Sequence, residues 1–259
     1  MAKTSMAAIV CSLHGRTGKT LLARVIAEYT LMSEERPLIF DTNAVDCSLE
    51  ACFPGRGIVI DMAHVRDQMK LFDTLAAPSP RTRVVDVAHA AFGKFFHVMR
   101  DTDFVLEART NHVEPVIFYI PDRTPSSFVE GRVLRDRFAD CAFVVVDNAF
   151  VGRPNDITRH GSAYQALAAH ETRLEMPALP PSLGQVLESP TLPLGELVRL
   201  PVAHDPHDGG PHEAHAAIRG WLIKLFREIY RIGQEVELRA AIPPRPAGVA
   251  PREWWRSES

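Results

Sequence analysis

Cysteine is scarce in this chain: four residues (Cys11, Cys47, Cys52, Cys141) in 259, without the regular spacing of a disulfide framework. Most of them sit inside apolar runs, so reduced thiols are the expected state. Cys47 and Cys52 are separated too far for a CxxC redox or zinc pair. Long apolar runs are missing as well. No stretch approaches the ~18 uninterrupted apolar residues of a membrane span, and the first residues do not follow the charged-then-apolar layout of a secretory signal. Charge of one sign is also absent. A formal net charge of −3 offers no global attraction to nucleic acid or anionic lipid, so any such contact needs a local patch. No internal repeat is visible, and no NKxD motif marks a guanine site. Together these absences predict a soluble, cytoplasmic protein. A hydrophobic content of 46% and a charged content of 24% suit a globular one.

Short, almost continuous apolar segments alternate with helical patterns. The segments are Ala7–Leu13, Pro37–Asp41, Gly57–Met62, Arg83–Val87, Val116–Ile120 and Cys141–Asp147. Strands of this kind are buried on both faces, which predicts an α/β fold: a three-layer, doubly wound, mostly parallel sheet with helices on either side. Helices are expected at Lys19–Ser33, Val65–Leu75, His89–Val105, Ser126–Phe138 and Pro211–Ala240. Thr124-Pro125-Ser126 is a helix start signal. The expected organisation is a single domain over residues 1–240, with a proline-rich, irregular section at 177–211 carrying short helical pieces. A flexible tail follows at 241–259.

The most informative segment joins the first strand to the first helix. An apolar, β-prone run leads into His14-Gly-Arg-Thr-Gly-Lys-Thr20, and an amphipathic helix follows at once. Unpaired N–H groups at a helix N-terminus carry partial positive charge and form an anion site. Gly15 and Gly18 permit positive φ and close approach of backbone to phosphate. Lys19 then reaches the β- and γ-phosphate oxygens, and the Thr20 hydroxyl ligates Mg2+. Leu13 occupies the place where the strict GxxxxGK[ST] pattern has its first glycine. Acidic residues end three strands, Asp41, Asp86 and Asp147, at the sheet edge where ligands of open α/β folds bind. A carboxylate there can hold Mg2+ through water or orient an attacking water.

Residues 14–20 resemble the KGGxGK[ST] loop of the ParA/MinD group of deviant-Walker ATPases, which also begins without that glycine. His14 stands where the group has its signature lysine and Arg16 where it has a second glycine. The resemblance extends over about residues 5–180. Leu38-Ile-Phe-Asp-Thr-Asn-Ala-Val-Asp-Cys-Ser-Leu49 is similar to the strand and switch I segment that carries DxDPQ. Asp41 matches the first Asp, and Asn43 falls at the second, which positions the attacking water. An amide orients water but is no useful proton acceptor; Asp46 is close enough to substitute. Val84-Val-Asp-Val-Ala88 looks like the Walker B strand, which makes Asp86 the Mg2+-side carboxylate. Val144-Val-Val-Asp-Asn-Ala-Phe150 resembles the strand whose Asn reads the adenine edge, here Asn148.

The resemblance implies an ATP- and Mg2+-dependent switch that positions cargo such as DNA or a protein complex. Its expected parts are slow hydrolysis, a nucleotide-dependent homodimer and an activating protein partner. The nucleotide site would comprise His14, Gly15, Arg16, Thr17, Gly18, Lys19, Thr20 and Asn148. Lys19, Asp41, Asn43 and Asp46 would carry hydrolysis, with Thr20 and Asp86 at the metal. In such relatives the signature lysine reaches the partner's nucleotide; His14, or the fixed charge of Arg16, would take that task here. Two other readings stay open: a nucleotide-binding scaffold without turnover, which Asn43 favours, and a P-loop small-molecule kinase using Arg132, Arg135 and Arg137 as a lid.

Three further features each admit two uses. His204, His207, His212 and His215 could assemble a zinc set, or form a turn-rich loop before the last helix. That helix places Ile218, Trp221, Leu222, Leu225, Phe226, Ile229, Ile232 and Val236 on one face, with Arg219, Lys224, Arg227 and Arg231 on much of the rest. Packing onto the sheet is the simpler use of the apolar face, while the basic remainder could meet DNA or a membrane surface. Trp254 and Trp255 could anchor the tail to an interface or a partner groove.

Overall fold

In a computed structural model, residues 4–33, 36–199 and 211–240 are described. The elements run β1 (Ser5–Cys11), α1 (Lys19–Met32), β2 (Leu38–Asp41), β3 (Gly57–Val59), α2 (Val65–Ala76), β4 (Arg83–Asp86), α3 (Phe92–Asp101), α4 (Phe104–Thr110) and β5 (Val113–Tyr119). They continue through α5 (Pro125–Arg137), β6 (Ala142–Asn148), α6 (Asp156–His160), α7 (Ser162–Ala168), β7 (Arg173–Met176), α8 (Pro181–Glu188), α9 (Leu194–Arg199) and α10 (Pro211–Ala240). Seven strands form one parallel sheet in the order β3-β2-β4-β1-β5-β6-β7.

The alternation of strand and helix produces the expected three layers. One face of the sheet buries Ile9, Phe40, Val85 and Ile117 among side chains of α2, α3, α4, α5 and α7. The other buries Val10, Ile39, Val84 and Val116 among those of α1, α8, α9 and α10. All eight apolar residues of the α10 stripe are buried, none more than 7% exposed. Each such side chain stabilises by roughly 1.5–3 kcal/mol when buried. A helix that has already spent this whole face on the core has no apolar stripe left for a bilayer. Trp221 adds a hydrogen bond from Nε1 to the Pro177 carbonyl at 2.6 Å. Among the described residues no helix is long and apolar enough to cross a membrane.

Two sequence expectations change. The single helix expected over His89–Val105 is a 3-10 turn at His89–Ala91, then α3, then α4. Asp103 breaks it by adopting φ 48°. That turn lets Phe95, Phe96 and Met99 on one side of the break and Phe104 and Ala108 on the other all reach the same core. The proline-rich section does carry short helices, α8 and α9. They are held to α1 by Arg24, a buried residue whose guanidinium donates to the carbonyls of Leu187 (2.8 Å), Ser189 (3.0 Å) and Leu192. A seventh strand, β7, covers the Leu174–Met176 segment. The α5 start is as expected: Thr124 is the N-cap, its side chain accepting from Ser127 N at 3.3 Å, with Pro125 in the first turn. His204, His207 and the tail with Trp254 and Trp255 lie outside the described residues. Among the described ones no group of three His, Cys, Asp or Glu side chains could hold a metal ion.

Candidate nucleotide site

The loop after β1 is framed by both neighbours of that strand. In register, Val10 pairs with Asp86 of β4 and Cys11 with Tyr119 of β5. The last residues of β4 therefore arrive level with the loop. Residue 16 and residue 18 carry its left-handed turns: Arg16 has φ 58° and Gly18 φ 87°. Gly15, which could take positive φ, does not adopt it. A Cβ at Gly15 would stand in ordinary van der Waals contact with the His89 ring, 3.5 Å away. At Gly18 a Cβ would meet the Asn148 amide nitrogen at 2.7 Å, so glycine is demanded there by conformation and by contact alike.

Lys19 is buried and bends back over the loop, its ammonium donating to the His14 carbonyl at 2.8 Å. Burial lowers its pKa, an effect that the Asp86 carboxylate opposes. Thr20 opens the first turn of α1 and donates its hydroxyl to Asp86 Oδ2 at 2.5 Å. Asp86 is only 3% exposed, and its Oδ1 is a buried acceptor without a hydrogen-bond partner. Burial pushes its carboxyl up to about 6; the Thr20 hydrogen bond pulls down, Asp41 adds to the rise and Lys19 opposes it. An orphaned carboxylate oxygen beside a hydroxyl is a hard-oxygen donor set of the kind Mg2+ takes, usually keeping several waters. Thr20 and Asp86 thus fit a magnesium ion. Ser12 and Thr17 also have buried hydroxyl oxygens without partners.

The other strand-end acids do different things. Asp41 is buried, and its carboxylate accepts from the backbone N–H groups of Asn43 (2.8 Å), Leu49 (2.8 Å) and Glu50 (3.2 Å). It shapes the loop after β2. Asn43 and Asp46 face one another across that loop, Asn43 Nδ2 donating to Asp46 Oδ2 at 3.1 Å. Asp147 is exposed and paired with Arg173 of β7. Of the three acids, only Asp86 is bonded to a loop-helix residue.

Three participants escaped sequence reasoning. Asp122, just past β5, pairs with His14 Nδ1 and is itself held by Thr124, whose N–H and hydroxyl donate to its Oδ1 at 2.7 and 2.6 Å. Burial works against its ionisation, but the Thr124 and His14 hydrogen bonds outweigh it and keep the carboxyl below its usual range. An acid ending an apolar strand was the available signal, the same one that singled out Asp86. Thr42 joins the ends of β2 and β4: its hydroxyl donates to the Asp86 carbonyl (3.1 Å) and accepts from Ala88 N (2.8 Å). His89 is the third. The Arg16 side chain is exposed and makes no hydrogen bond or ion pair with a described residue.

On the β6–β7 side of the loop, Asn148 donates to the Thr17 carbonyl at 2.9 Å and accepts from Phe150 N at 3.0 Å. An amide has two donors and two lone pairs, so half of its capacity remains. A cleft of about 530 Å3 opens beside it, lined in part by Asp122, Asn148, Gly152, Arg153 and Met176. That volume suits a small organic ligand.

Set beside known proteins, the chain matches no family model and no curated sequence. Among solved structures it is similar to several, one of them a chain of the MinC:MinD cell division protein complex of Aquifex aeolicus. The sequences are 14% identical, with 93% of this chain and 98% of that one covered at a TM-score of 0.43. The likeness concerns fold alone. The site rests on its own geometry.

Proposed function

We propose that this chain is a nucleotide-binding switch of the ParA/MinD type that takes ATP with Mg2+. The observation that carries the reading is the Thr20–Asp86 pair at the start of α1, with an unpartnered Asp86 oxygen beside a lysine folded over the loop. In this reading Lys19 and the backbone N–H groups of Gly15 to Thr20 bind the phosphates. Thr20 and Asp86 hold the magnesium ion, which would polarise the phosphate oxygens and offset their charge. Asn148 and the adjoining cleft take the base. The task of orienting water falls to Asn43 and Asp46, since Asp41 is engaged by three N–H groups. Turnover is accordingly slow, and a scaffold that binds without hydrolysis is the second reading, favoured by the same engagement of Asp41.

A nucleotide-dependent homodimer is part of the proposal. Val45, 91% exposed, and Phe150, 70% exposed, stand on the loops after β2 and β6 at the edge that carries the phosphate loop, where a second copy would cover them. For DNA or a membrane surface, α10 offers Lys224 and Arg227, both exposed. Arg219 donates to the Val198 carbonyl and Arg231 is tied to Glu228 and Glu235. A protein that stimulates turnover fits the same scheme. The kinase reading has less support: Arg135 bonds Asp136 and the Ala166 carbonyl at the end of α5 opposite the loop.

Calorimetry with ATP, ADP and GTP in magnesium buffer tests the reading. ATP and ADP should bind, and Lys19→Ala should weaken both by about a hundredfold or more, as loss of a buried charge-assisted phosphate contact implies. Light scattering should show a dimer with ATP. Absence of any nucleotide uptake by folded protein refutes the proposal.

A further inference from the structure

The order of strands gives a bound nucleotide a direction. The cleft beside Asn148 lies towards β6 and β7, whereas Asp86 ends β4 on the other side of β1. A nucleotide with its base in that cleft and its phosphates in the loop points its last phosphate towards the β4 end. The 3-10 turn that follows β4 starts at His89. Its ring lies beside the loop: Nδ1, Cε1 and Cγ lie 3.5, 3.7 and 3.9 Å from the position of a Gly15 Cβ. His89 is exposed, so the ring remains open to a ligand at the mouth of the loop. Its approach is set from behind by Thr42, whose hydroxyl fixes Ala88 N and the Asp86 carbonyl together. The loop is thus bracketed by two side chains, Asn148 at Gly18 and His89 at Gly15.

Resting on the nucleotide reading above, we infer that the His89 imidazole contacts the terminal phosphate of a nucleoside triphosphate and distinguishes it from the diphosphate. A diphosphate lacks that last phosphate and would leave the imidazole without a phosphate partner. A third phosphate brings its oxygens to the imidazole, where a ring N–H donates to them. The side chain, rather than the magnesium pair, then reports which nucleotide is bound.

The test titrates the unaltered protein, His89→Ala and His89→Gln with ADP and with the slowly hydrolysed ATPγS, both with magnesium, by calorimetry. One charge-assisted hydrogen bond corresponds to about tenfold in affinity. His89→Ala should therefore weaken ATPγS about tenfold and leave ADP within twofold. His89→Gln, which keeps an N–H donor, should remain within about threefold of the unaltered protein. Thermal melting without nucleotide should be the same for all three. Equal changes for ADP and ATPγS, or none, overturn the assignment while leaving the nucleotide reading intact. A loss in His89→Gln equal to that in His89→Ala overturns the hydrogen bond. If the unaltered protein takes up neither nucleotide, both proposals fall.

Discussion

The two ends of the parallel sheet treat buried polar groups in opposite ways. At the end where strands begin, Arg83 is fully buried, yet its guanidinium donates to Ser5 Oγ (2.6 Å) and to the carbonyls of Thr74 (3.3 Å), Ala77, Ser79 (3.3 Å) and Arg81 (2.9 Å). Glu114 nearby lies between Arg109 and Arg239, each 3.1 Å away. At the end where strands finish, Ser12, Thr17 and Asp86 each bury a side-chain oxygen without a partner, and Arg16 is held at φ 58° with its charge unengaged. Both ends bury polar side chains. The difference is that an unmet polar atom costs about 1–3 kcal/mol, which a fold tolerates where a ligand will meet it. One end satisfies its buried polar groups, and the other leaves three unmet, as the proposed nucleotide site would require.

Three substitutions sharpen that contrast, beginning with the largest effect. Arg83→Ala strips five acceptors of a buried cation and should destabilise the protein by about 3–5 kcal/mol, measured by denaturant unfolding; nucleotide affinity per folded molecule should not change. Asp86→Asn works in the other direction. Because burial raises the folded-state pKa of Asp86 to about 6 from 3.8, the folded protein binds the extra proton between those values, and stability from this group falls as pH rises through them. In buffer free of magnesium and nucleotide, Asp86→Asn should be more stable than the unaltered protein above pH 6, by on the order of 3 kcal/mol. The gain should vanish below about pH 4, where both forms of the carboxyl are protonated. A pH-independent difference would contradict the burial argument. Arg16→Gly should have the smallest effect, a gain of about 0.5–1 kcal/mol from relief of the left-handed conformation, read as a small rise in Tm. A loss of stability there would mean that the guanidinium contributes to the fold after all.

Much of the architecture was legible because it depends on local pattern. The strand Leu38–Asp41 ends where its apolar run ends, Arg83–Asp86 stops one residue short of the expected Val87, and α10 buries all eight residues of its predicted stripe. The helix break at Asp103 was not legible, since an Asp in the left-handed region leaves no periodic trace. Within the site, Lys19 and Thr20 could be placed from spacing alone, as both belong to one turn at the start of α1. By strand-end position alone the three acids looked alike, and it was the family resemblance that set Asp86 apart. Tertiary contacts then gave each its partner: Asp86 bonds Thr20, Asp41 caps its own loop and Asp147 pairs with Arg173.

The chain order thus settled what lies within a few residues of itself: an apolar strand, a glycine-bearing turn and a helix that presents Lys19 and Thr20. Periodicity and backbone conformational preference act over that range and leave their record in consecutive residues. Which distant groups meet the turn was decided by strand order and register. Those placed β4 and β5 beside β1 and so brought Asp86, His89 and Asp122 to it. Pairing between strands many residues apart follows from packing the whole sheet, which no short segment encodes.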